Sequence, residues 1–121
     1  MKKMTDEMIA QAAERLRSLA DPARIRIMIR LRSGECNVGQ LAADLGIAQP
    51  SVSKHLAVLR QAGIIAIRRE GQQSLCSIRD ASVFEICDVV CAGVRRHHEE
   101  TSRLLGLAPK AGATTPRENR H

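Results

Sequence analysis

Residues 48–65 read AQPSVSKHLAVLRQAGII, and the fold turns on them. Pro50 sits where a helix begins, because its fixed φ suits the first turn and its missing N–H has no partner to lose there. Val52, Leu56 and Leu59 then recur at helical spacing until Gly63 stops the run. Opposite that apolar stripe stand Ser51, Lys54, Ala57 and Val58, with Ser53 and His55 on the flanks. Short side chains on an open face let a helix approach base edges closely. Serine can donate or accept, lysine reaches a guanine edge or a phosphate, and the Gln49 amide suits adenine. A polar face can equally be plain wet surface, so the flanking segments decide.

Upstream, residues 37–46 (NVGQLAADLG) carry Val38, Leu41, Ala42 and Leu45 at i, i+3, i+4 and i+7, ending at Gly46. Two short helices across a tight glycine turn make a helix-turn-helix. Its first helix would cross the DNA backbone while the second enters the major groove. Downstream the period changes. Ile64, Ile65 and Ile67 predict a strand, Arg68–Gln73 a polar turn, and Leu75–Ile78 a returning strand. That hairpin is a wing, on which Arg68, Arg69, Gln72 and Gln73 are free to hold phosphates or probe the minor groove.

Further out, residues 5–19 form an amphipathic helix. Residues 21–34 (DPARIRIMIRLRSG) alternate Arg with Ile or Leu, as a strand would. Asp21 as N-cap, Pro22 at the first helical position and Gly34 as a stop favour helix instead. From Ala81 to Leu105 the pattern is helical again. The fold class is therefore mainly α with a small β-hairpin, a winged helix-turn-helix over residues 1–108. Residues 109–121 lack apolar periodicity and are expected to be a disordered tail.

Composition agrees with a DNA reader. Of 121 residues one is Phe and none is Tyr or Trp, which removes the stacking platforms used for single strands. The net charge of +6 is uneven. Residues 51–79 carry Lys54, Arg60, Arg68, Arg69 and Arg79 against Glu70 alone, whereas residues 80–108 carry five acidic side chains and three basic ones. A basic reading part is thus joined to a part with another task. No export signal or membrane span is evident, so the expected location is the cytoplasm, with Cys36, Cys76, Cys87 and Cys91 as reduced thiols. No nucleophile–base pair, phosphate-cradling glycine loop or paired carboxylate argues for an enzyme. A helical interaction module is the other rival, and it predicts a monomer docking through its last helix.

The stretches LADPARIRIMIRL, GECNVGQLAADLGIAQPSVSKHLAVLRQAGII and RREGQQSLCSI together resemble the ArsR/SmtB family of winged-helix bacterial regulators. The likeness runs from about residue 15 to the end of the last helix. It implies a homodimeric repressor, joined through its first and last helices, that releases a palindromic double-stranded operator when an inducer arrives. Phe84, Cys87, Cys91, Val94 and His98 lie on a 3–4–3–4 stripe that suits such a seam.

The family's sensing patterns are not intact here. Metalloid sensors carry Cys-x-Cys where this chain has Glu35-Cys36-Asn37-Val38-Gly39. Zinc sensors use Asp-x-His, with a second His thirteen residues after the Asp. Here Asp80 is followed by Ser82, residue 93 is Gly, and imidazoles arrive only at His97 and His98. Cys87 and Cys91, at i and i+4, remain as a pair for one soft ion. Trivalent arsenic or antimony would need a third thiolate, from Cys36 or Cys76; zinc, cadmium or lead would add His97, His98 or a carboxylate. Thiol oxidation or persulfidation, and plain packing with no sensing, remain open alternatives.

Overall fold

The computed structural model describes residues 3–106, so the expected tail over 109–121 lies outside the described residues. Helix α1 (Asp6–Leu19) starts at Thr5, whose hydroxyl accepts from the Met8 N–H at 3.1 Å. Helix α2 (Pro22–Arg32) resolves the ambiguous Arg/Ile alternation. The Asp21 carboxylate accepts from the N–H groups of Ala23 and Arg24 at 2.9 and 3.4 Å, and Pro22 follows in the first turn. Ile27, Met28 and Leu31 then face the core while Ile29 is left 56% exposed, a helical division of sides.

Helix α3 (Val38–Leu45) is capped by Asn37, whose side chain accepts from the Gln40 N–H, and closes at Gly46 in the left-handed conformation. Helix α4 (Gln49–Gln61) buries Val52, Leu56 and Leu59, the stripe read from the sequence. The helix-turn-helix is therefore α3–α4.

The wing departs from expectation in two ways. Strand β2 (Ile65–Glu70) and strand β3 (Gln73–Ile78) pair antiparallel up to Glu70 opposite Gln73, so the polar segment is mostly strand. Only Gly71 and Gln72 turn, with Gly71 at φ +66° taking the positive φ that a two-residue hairpin needs. A third strand, β1 (Cys36–Asn37), also joins the sheet on the free side of β3, in the order β1-β3-β2. Two residues are too few to show alternation, which is why the pattern did not announce it.

The core joins Leu31, Leu41, Val52, Leu56, Leu59, Ile64 and Ile65 to Cys76, all nearly or wholly buried. Aliphatic side chains and a thiol thus do the work that aromatics do elsewhere. Arg15 ties the helices to the end of the wing: Nη1 donates to the Ala62 carbonyl at 2.8 Å and Nη2 to the Asp80 carboxylate. These elements make one compact unit ending at Asp80; a second begins at Ala81 and contains helix α5 (Val83–Leu104). Among the described residues no helix is long and apolar enough to cross a membrane.

Candidate nucleic-acid interface

Gln49, Ser51, Ser53 and Lys54 are exposed on α4, and Arg68 and Arg69 are exposed on the wing. Within that set the structure sorts the residues. Gln49 and Ser53 line a groove of about 310 Å³ together with Arg69, Gln72, Gln73 and the start of α3. Helix and wing thereby share one polar surface. Asn37, Gly39 and Ser74 also line it, and no sequence pattern singled them out.

Arg68 is placed differently. Its guanidinium grips Glu35 through Nη2 to Oε1 at 2.8 Å and Nε to Oε2 at 3.3 Å, with Glu70 at 3.4 Å from Nη1. Successive strand residues point to opposite faces, so Arg68 and Arg69 cannot serve the same groove. His55 is also engaged. Half-buried, it accepts at Nδ1 from Arg24 Nη1 at 3.2 Å, which leaves Nε2–H as the ring's donor. Ala57 and Val58, read from the sequence as base-facing, line a separate groove of about 1000 Å³ against Met4, Met8 and Ala12 of the α1 side.

The cysteines fall into two pairs. Cys36 and Cys76 sit directly opposite each other on β1 and β3, 5% and 0% exposed. Burial pushes the Cys76 thiol up to about 11, helped by nearby Cys36 and Glu35. Burial raises Cys36 as well, against the opposing pull of Arg30. Cys87 is half-buried and Cys91 exposed, one turn apart on α5. Among the described residues no three His, Cys, Asp or Glu side chains come together as a metal site.

Comparison with known proteins meets this geometry. Residues 21–66 match the family model for bacterial regulatory proteins of the arsR family. The transcriptional regulator CmtR of Mycobacterium tuberculosis is similar at 42% identity over 94 residues, covering 74% of this chain and 80% of its own. The chain belongs to the arsR family. A biofilm growth-associated repressor of Agrobacterium fabrum is 44% identical over 87 residues, 72% of this chain and 74% of that one. A homodimeric winged helix-turn-helix DNA-binding domain from Mycobacterium bovis superposes with a TM-score of 0.69 at 26% identity, covering 83% of this chain and 95% of that one. As an arsR-family member this chain is a winged helix-turn-helix, DNA-binding transcriptional repressor.

Proposed function

We propose that this repressor works as a cytoplasmic homodimer on palindromic double-stranded operator DNA and lets go when a thiophilic metal or metalloid binds its cysteines. Trivalent arsenic and antimony come first, ahead of zinc, cadmium and lead. The observation that carries the DNA half is the groove joining Gln49 and Ser53 of α4 to Arg69, Gln72 and Gln73 of the wing. Base-edge donors and a backbone-binding guanidinium border one concave surface, as a helix in the major groove beside a wing requires. Ser51 and Lys54 extend it along α4, while Arg68, on the other face of its strand, reaches a phosphate outside the groove only where it lets go of Glu35. His55 contributes Nε2–H.

The dimer reading is supported by what α1 and α5 leave bare. Met8, Ile9 and Leu16 on α1, and Val89, Val90 and Val94 on α5, are each between 46% and 69% exposed. So many apolar side chains on two helices suit a second copy better than water. The sensing half rests on Cys87 and Cys91, which project from one side of α5 at the spacing of a shared soft ion. An ion held on that helix would favour one dimer arrangement over another, and DNA affinity would follow.

The test is fluorescence anisotropy of a labelled duplex from the protein's own promoter, with fully reduced chain and arsenite titrated in. Release from the parent but not from a Cys87→Ser/Cys91→Ser variant is the expected result. Tight binding that arsenite leaves untouched would keep the repressor and remove arsenic from the reading. Zinc and oxidants would be the next additions.

A further inference from the structure

We propose that Cys36 and Cys76 form a cross-strand dithiol site that takes one soft, two-coordinate dication, Hg(II) in chemical class, within a single chain. The proposal concerns β1 and β3 alone and holds whether or not the α5 cysteines bind an inducer.

Register is the first argument. Cys36 on β1 and Cys76 on β3 are direct partners in an antiparallel pair. Such partners have Cα atoms about 4.5–5.5 Å apart and side chains on the same face. Two thiolates so placed can grip one ion from opposite sides without moving the backbone. Asn37 and Leu75, the next pair along, point the other way and do not intervene.

Ligand count is the second. Among the described residues no third His, Cys, Asp or Glu joins these sulfurs. Tetrahedral zinc and three-thiolate arsenic are therefore unprovided for in this pocket. An ion content with two sulfurs in line is not.

Charge is the third. The pair is 5% and 0% exposed, in a setting that penalises net charge. Aquated Hg(II) meeting two thiols forms two S–Hg bonds and releases two protons to water, leaving a neutral bis-thiolate. Nothing is oxidised or reduced. A monovalent ion with the same two thiolates would leave one negative charge buried. Entry is by the edge: β1 is two residues long and lies at the outside of the sheet, so its opening exposes both sulfurs.

The experiment uses the full-length chain carrying Cys87→Ser and Cys91→Ser, reduced and kept from air. HgCl2 is titrated in while the thiolate-to-metal charge-transfer band and far-ultraviolet circular dichroism are followed. The expected result is a break at one ion per chain with the helical signal unchanged. Two thiolates held together gain at least about a hundredfold in effective concentration over single ones. The complex should therefore survive about a hundredfold more glutathione than that of a further Cys36→Ser or Cys76→Val variant. A break at one ion per two chains, loss of helical signal on binding, or stripping by glutathione as easy as from the single-cysteine variants would each overturn the proposal. The first two readouts need no core substitution, so a poorly folding variant does not blunt the test.

Discussion

Asp21 decides between strand and helix for the residues that follow it. Burial works against its charge, yet the N–H groups of Ala23 and Arg24, aided electrostatically by nearby His55 and Arg24, hold its carboxyl below the usual 3.8. A carboxylate whose pKa is lowered by folding stabilises the fold fully above the unfolded value, and that contribution is lost as pH falls through the folded one. Asp21→Asn keeps a competent cap but cannot ionise. The melting temperature of the parent should exceed that of the variant by a constant margin at neutral pH. That margin should close as pH drops through 3.8 and below; a margin independent of pH would show that the charge is idle. At the same scale, Glu35 restrains Arg68. Arg68→Ala should change DNA binding little in the parent and much more in a Glu35→Gln background, where the guanidinium is released to a phosphate. Equal effects in both backgrounds, measured by anisotropy, would show that the ion pair does not compete with DNA.

Elements carry the reading surface, and most of them were legible. Helix α4 declares itself through Pro50, the Val52–Leu56–Leu59 stripe and Gly63, because helix period and stop signals are local properties. The second strand of the wing was equally plain. What stayed hidden is what depends on partners. Strand β1 exists because β3 offers it a free edge, and nothing within Cys36–Asn37 encodes that. The Arg68–Glu35 grip joins positions far apart in the chain, so it has no local signature. The split between Arg68 and Arg69 is a matter of strand alternation, and it stays hidden while residues 68–70 look like a polar turn. Lys54→Ala and Arg69→Ala should each weaken binding to every duplex alike and reduce the slope of log affinity against log salt by roughly one. A loss confined to one operator sequence would assign the side chain to a base instead.

The whole molecule leaves apolar side chains bare on two helices, and its proposed pairing follows from that. Val94 on α5 is 63% exposed, and the stripe read from the sequence passes through it. Val94→Glu would bury a charge without a partner in a dimer, a cost of about 3 kcal/mol or more. Sedimentation should show the dimer constant weakened on the order of a hundredfold, with helical content intact. A dimer that survives the change would move the interface elsewhere. The bare faces of α1 and α5 also bear on timing. If only the pair grips an operator and pairing is weak at cellular abundance, the amount of competent reader scales with the square of chain number. Halving the supply through one round of growth would then cut the reader to a quarter, and the regulated gene would open before any inducer had arrived.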